Sequence, residues 1–96
     1  MNHCHLLAVG KQLNLGGFTA STDWPEDFLG LEPLELSPTR RLWQFEVEKL
    51  PLVFLHAVSL KHSQVTLLLD FDDGRVKGLV LVKNGTVQRC QLRYRS

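Results

Sequence analysis

The sequence is poor in cysteine, with two in 96 residues, and it has no apolar run near the roughly 18 residues of a membrane span. Two cysteines do not form a disulfide scaffold, so we expect Cys4 and Cys90 to be free thiols, able to pair only if the first strand lies beside the last. No basic segment precedes the short apolar run at residues 6–9, which argues against a secretory signal. We therefore expect a cytoplasmic protein without a membrane partner.

The chain also lacks the motifs of the common enzyme classes: a Ser-His-Asp order, a nucleophile elbow and a phosphate-binding glycine loop. Catalysis would have to depend on His56 or on the pair Asp70 and Asp72. His56 lies among apolar neighbours, as a hydrogen-bonded core histidine does, and the aspartates have cations nearby to pair with. We expect no enzyme activity and no cofactor.

A metal site is suggested only by the sequence His3-Cys4-His5, because imidazole and thiolate are good ligands for zinc or copper. In a strand, however, His3 and His5 share one face and Cys4 points to the other. The three side chains then do not converge, so we predict no metal site. A metal held by this segment is the alternative.

Acidic residues are missing from the last part of the sequence. Residues 74–96 contain six basic and no acidic residues, whereas residues 23–48 contain seven acidic residues and two arginines. In a last strand, Arg89, Arg93 and Arg95 would form a stripe on one face. Such a stripe could bind phosphate, which makes a nucleic-acid-associated protein the alternative function. It could equally protect an edge strand from association.

Two turn sequences organise the second half of the chain. Asp73-Gly74 and Asn84-Gly85 each separate runs rich in valine and leucine, the pattern of β-hairpins with two-residue loops. Residues 65–95 therefore read as three antiparallel strands. Counting from the turns places Asp72 opposite Arg75 and Leu79 opposite Cys90.

The same count also places Asp70 opposite Lys77, and it predicts two sheet surfaces. One surface is apolar and should form the core; it carries Val65, Leu67, Leu69, Phe71, Val76, Val80, Val82 and Val87.

The rest of the chain adds strands at residues 5–9, 42–48 and 52–61, with the first continuing to Leu15. Residues 31–36 read as a loop or an irregular edge strand because of Pro33. One short helix is predicted near residues 23–29, capped by Thr22 or Asp23. The expected fold of residues 1–96 is a single α+β, mostly β domain: an antiparallel five- to six-stranded meander, either a small curled sheet or barrel-like.

The second sheet surface carries more apolar residues than a solvated face usually does, and it is our candidate interface. Its members are Leu68, Leu79, Leu81, Leu92 and Tyr94. We expect it to be covered by the N-terminal segment, by a second copy of the chain or by another protein. The predicted function is a non-enzymatic interaction module that forms a homodimer. A small apolar ligand held between the sheet and the helix at residues 24–29 is a second version of this idea.

Overall fold

The fold is built around one antiparallel sheet, and the structure, a computed structural model, describes residues 1–93. Within them lie six strands and two helices. In chain order these are β1 (Asn2–Val9), α1 (Gln12–Ser21), β2 (Leu29–Leu36), β3 (Arg40–Val47), α2 (Leu52–Lys61), β4 (Thr66–Asp72), β5 (Val76–Lys83) and β6 (Thr86–Arg93). The prediction of an α+β, mostly β fold is confirmed.

The strands are arranged in the order β2-β3-β1-β4-β5-β6, and every neighbouring pair is antiparallel. The predicted meander is confirmed for β4 to β6. The first strand, however, lies between β3 and β4 instead of at an edge, where Leu7 is paired with Leu42 on one side and Leu68 on the other. The sheet stays open, so it does not form the barrel that was the other expectation.

Residues 52–61, predicted as a central strand, form helix α2. A continuous apolar run fits a buried strand and a buried helix equally, and its length of ten residues favours the helix. Leu55 and Ser59, four residues apart, are fully buried against the sheet. Pro51 precedes the first turn, where its missing N–H is not needed.

Helix α1 replaces the expected extension of the first strand to Leu15, and it runs through Gly16 and Gly17. Two glycines weaken a helix. Leu15 and Phe18, three residues apart, are buried in the core and hold the helix on the sheet, so tertiary packing overrides the local preference.

The prediction of a helix near residues 23–29 is wrong. This segment is irregular, with one turn in which the N–H of Phe28 donates to the carbonyl of Pro25 at 3.2 Å. Its aromatic side chains still anchor it to the sheet: Trp24 lies 5.0 Å from Trp43 and Phe28 stacks on Phe45 at 4.1 Å between ring centroids. These rings occupy the space in which the sequence suggested a pocket for an apolar ligand.

The first hairpin of the meander turns one residue later than predicted. The N–H of Asp73 donates to the carbonyl of Val76, so Gly74 and Arg75 are the central residues, and only Gly74 has a positive φ, at 89°. A positive φ at the first central residue alone is the pattern of a type II′ turn. The Asp73 carboxylate accepts the N–H groups of Arg75 and Val76, which fixes it at the start of the turn and lowers its pKa.

This later turn shifts the register between β4 and β5 by two residues. Asp72 lies opposite Lys77 instead of Arg75, and Asp70 lies opposite Leu79 instead of Lys77. A shift of two leaves every side chain on its predicted face, because faces alternate with each residue.

The second hairpin is confirmed as predicted. Asn84 and Gly85 both have positive φ, as a type I′ turn requires, and Leu79 is paired with Cys90. The N–H of Gly85 donates to the Ser59 hydroxyl at 2.9 Å, which ties α2 to this turn.

Gly78 marks a close approach within the sheet, and its replacement tests this packing. A Cβ at this position would collide with the Cys90 carbonyl and lie 2.9 Å from Cζ of Phe71. We expect Gly78→Ala to lower the free energy of unfolding by about 1–3 kcal/mol through overpacking. Gly16→Ala, with no atom within 4 Å, is the control and should raise it by about 0.5–1 kcal/mol. Chemical denaturation measures both, and an unchanged midpoint for Gly78→Ala would contradict the packing described.

Candidate interaction surface

The two faces of the sheet differ in what covers them. Both helices pack on one face, where Leu15, Phe18 and Leu55 join the buried residues of the strands. β1 shows the contrast most simply: Leu6 is buried on that side, whereas Leu7 on the other side is only half-buried. We call the side without helices the open face.

A row of four leucines crosses the middle of the open face. Leu42, Leu7, Leu68 and Leu81 stand side by side on β3, β1, β4 and β5, each paired directly with the next. Neighbouring strands are about 4.8 Å apart, so these side chains form a continuous apolar band, which we call the leucine row.

Polar and charged residues occupy the next two rows on the same face. The nearer one, the mixed row, consists of Gln44, His5, Asp70, Leu79 and Cys90. The further one, the charged row, consists of Leu29, Glu46, His3, Asp72, Lys77 and Leu92. Within it, Nδ1 of His3 lies 2.9 Å from Oε1 of Glu46. The face therefore combines an apolar centre with a charged margin.

The structure places the predicted interface residues together on this face. Leu68 is half-buried, while Leu79, Leu81 and Leu92 are exposed, Leu92 to 65%. Tyr94 lies outside the described residues. One prediction was that the N-terminal segment covers these residues. It does not, because this segment enters the sheet as β1.

Leu7 and Leu42 were missed from the sequence. They face the same side as the predicted leucines only because β1 joins the sheet between β3 and β4. A non-local pairing of this kind has no local sequence signal. Within β3, the alternation of Trp43 and Phe45 with Gln44 and Glu46 places Leu42 on the outer face, but it does not say which strand lies beside it.

The two cysteines lie on opposite faces, three strands apart, which is about 14 Å at the usual strand spacing. A disulfide needs Cα atoms within about 7 Å, so both thiols are free. Cys4 is buried on the helix side, and burial raises its pKa to about 12, with a smaller contribution from Asp70. Cys90 is exposed on the open face beside Leu79.

His3 and His5 point out from β1 while Cys4 points in, as the alternation predicted. Among residues 1–93, no three histidine, cysteine, aspartate or glutamate side chains are placed to hold a metal ion together. The segment thus brings two imidazoles to the open face.

The residues on which catalysis would depend do not come together. His56 is exposed on α2 near Gly85, so its expected place in the core is wrong. Asp70 and Asp72 lie on the open face; Asp70 borders a shallow depression of about 320 Å³ that is also lined by Leu79 and Leu92. The imidazole and the carboxylates lie on opposite sides of the sheet.

The basic stripe lies on the helix side of β6, away from the open face. The guanidinium of Arg89 sits over the Phe71 ring, 5.4 Å from its centroid, so this residue has a structural contact of its own. Arg93, at the end of β6, is exposed. Arg95 lies outside the described residues.

The two thiols give a direct check on the assignment of faces. At protein concentrations too low for association of the open face, we expect Cys90 to react quickly with iodoacetamide and Cys4 to react only when the fold opens, because the thiolate is the nucleophile and burial suppresses it. Timed labelling followed by peptide mass spectrometry distinguishes the two sites. Cys90→Ser is the control, and it should leave a folded protein without a fast site. Equal labelling rates in the folded protein would contradict the assignment.

None of the helices within residues 1–93 is long and apolar enough to cross a membrane. Comparison of the chain with protein-family models, with curated proteins and with solved structures finds no match in any of the three.

Proposed function

We propose that this chain is a non-enzymatic interaction module that forms a homodimer by packing its open face against that of a second copy. The observation that carries the proposal is the leucine row, which crosses four strands and is left uncovered by residues 1–93. Continuous apolar surface of this kind marks interaction sites in soluble proteins.

The area of the face is sufficient for a stable dimer. Six strands about 4.8 Å apart and about 24 Å long present roughly 700 Å² per copy. The total of about 1,400 Å² falls within the range of about 1,200–2,000 Å² for specific interfaces. Two sheets packed face to face in this way keep their strands within about 30° of each other.

A twofold axis parallel to the strands, between β1 and β4, matches the leucine row to itself. It places Leu7 against Leu68 of the partner subunit and Leu42 against Leu81 of the partner subunit. Such an axis makes the contact self-complementary, as a closed dimer requires.

The same axis matches opposite charges in the charged row. Glu46 comes to face Lys77 of the partner subunit, and His3 comes to face Asp72 of the partner subunit. An axis perpendicular to the strands would instead set Lys83 against Leu79 of the partner subunit. Complementary charges favour the first arrangement.

Small secreted domains are usually stabilised by several disulfides, whereas both cysteines of this chain are free thiols. A cytoplasmic protein is the proposal that fits them.

The leucine row provides the principal test. We expect Leu68→Glu to convert the dimer to a monomer, because it would bury two unpaired carboxylates at the centre of the interface. Leu13→Glu is the matched control: Leu13 is 88% exposed on α1, away from the open face, so this variant should stay dimeric. Sedimentation velocity across a wide concentration range measures the masses. A monomeric wild-type protein, or equal behaviour of the two variants, would overturn the proposal.

The proposed axis is tested by reversing charges. Glu46→Lys and Lys77→Glu should each raise the dimer dissociation constant about tenfold, by placing like charges opposite each other. Combining both restores opposite charges across the axis and should recover most of the loss. If the two losses of dimer affinity add in the combined variant, this axis is contradicted. The existence of the dimer is tested separately by Leu68→Glu.

A nucleic-acid-associated role is the second candidate, and the exposed strand β6 with Arg89 and Arg93 on one side supports it. It requires binding that weakens steeply with salt and is lost when both arginines are reversed. The oligonucleotide measurement described below separates it from peptide binding.

A further inference from the structure

The two edges of the sheet are built differently. β2, at one edge, contains Pro33 and has register shifts between Leu29 and Glu32 and between Pro33 and Glu35, which are devices that block further strand pairing. β6, at the other edge, pairs with β5 in unbroken register from Thr86 to Arg93 and contains no proline. All eight of its residues are exposed. The backbone of β6 is thus a regular, accessible edge.

The register identifies which backbone groups of β6 point outward. Lys83 and Thr86 close a two-residue turn, so they form a hydrogen-bonded pair, and such pairs recur at every second residue along an antiparallel ladder. The intervening residues direct their N–H and carbonyl groups away from β5. These are Val87, Arg89, Gln91 and Arg93.

The outward-bonding residues are also those that carry the basic side chains. Arg89 and Arg93 project on the helix side of β6, four residues apart, and Arg89 is oriented by its contact with Phe71. A strand added beside β6 would place its side chains directly opposite these guanidinium groups. The edge therefore combines free backbone groups with charge at a fixed spacing.

We propose that β6 binds an extended acidic peptide as a seventh, antiparallel strand of the sheet. Backbone hydrogen bonds to Val87, Arg89, Gln91 and Arg93 hold the peptide, and two carboxylates four residues apart pair with Arg89 and Arg93. The alternate peptide residues emerge on the open-face side, beside Cys90 and Leu92, and are best apolar. The dimer contact uses the open-face side chains of β6 and leaves the outer backbone edge of β6 accessible.

Charge opposes one symmetric pairing of β6 with a second copy of β6. Antiparallel pairing of two β6 strands centred on Gln91 would set Arg89 against Arg93 of the partner subunit, twice. Like charges directly opposite each other destabilise a strand pair. The charge of the edge favours an acidic strand from a different protein.

The probe is a synthetic peptide with the core glutamate-valine-threonine-valine-glutamate, labelled at one end and followed by fluorescence anisotropy with the full chain. Replacing both glutamates by glutamine should weaken binding at least about tenfold, since charge-assisted hydrogen bonds are lost. A peptide that is N-methylated at its ladder-side amides should also lose binding, because it keeps its carboxylates but cannot pair with the edge.

Protein variants separate the backbone contribution from the charge. Gln91→Pro removes an outward N–H and leaves the bonds to β5 intact, so the fold should be retained and peptide binding lost. Arg89→Glu with Arg93→Glu should also abolish binding. Lys11→Glu with Lys83→Glu makes the same change in net charge away from the outer edge and should leave binding unchanged.

An oligothymidylate provides the competing outcome. The peptide proposal is overturned if the peptides do not bind and the oligothymidylate does. The edge is then a nucleic-acid site, provided that oligothymidylate binding is lost in the Arg89→Glu, Arg93→Glu variant and kept in Gln91→Pro. Undiminished binding of the N-methylated peptide would also overturn the peptide proposal. This test uses the wild-type protein, so it does not depend on whether Gln91→Pro folds. Loss of the dimer in Gln91→Pro would show that a second copy occupies the edge.

Discussion

The pairing of β1 with both β3 and β4 is the constraint on which the rest of the structure depends. It joins the β2–β3 hairpin to the β4–β6 meander, two units that α2 links along the chain. The alternation of buried and exposed residues along β1 defines the two faces of the whole sheet. Leu6 and Ala8, both fully buried, continue the core from one unit into the other.

Once β1 is in place, the distribution of the helices determines which surfaces are available. Leu15, Phe18 and Leu55 cover one face, together with the aromatic rings of Trp24 and Phe28. The other face keeps half-exposed leucines from four strands in one row. A helical covering on one side only is common in small antiparallel sheets, but their second side is normally polar. The apolar centre of the open face therefore needs an explanation, and the dimer proposed above would supply one by covering it with the same face of a second copy.

The edges extend this picture to a second kind of contact. Pro33 and the irregular register protect β2, whereas only side chains distinguish β6 from an ideal template for a new strand. Arginines on an edge oppose the strand pairings that bring like charges together, and in the complex proposed above the same charges attract an acidic strand. In these two proposals, β6 would bind a peptide through its outer edge while the open face packs on a second copy.

Local chemistry made part of this structure readable in advance. Asn84-Gly85 tolerates positive φ at two successive residues, so its hairpin and the pairing of Leu79 with Cys90 follow from the sequence. At Asp73-Gly74 the carboxylate of Asp73 captures two backbone N–H groups and moves the turn by one residue. The residue pairings predicted between β4 and β5 were therefore wrong. The predicted faces were right, because a register shift of two residues leaves each side chain on the same face. Leu68, Leu79, Leu81 and Leu92 were for that reason correctly grouped on one face.

The sequence by itself thus determined the meander, its two faces and the excess of apolar residues on one of them, because these depend on turn chemistry and alternation within a short stretch. Only the tertiary structure decided that residues 52–61 form a helix, that Gly16 and Gly17 lie within another, and that Leu7 and Leu42 complete the leucine row. An apolar run satisfies a buried strand and a buried helix alike, and the neighbours of β1 lie more than thirty residues away along the chain. Local propensity contains no information about such contacts, which are selected by the burial they allow.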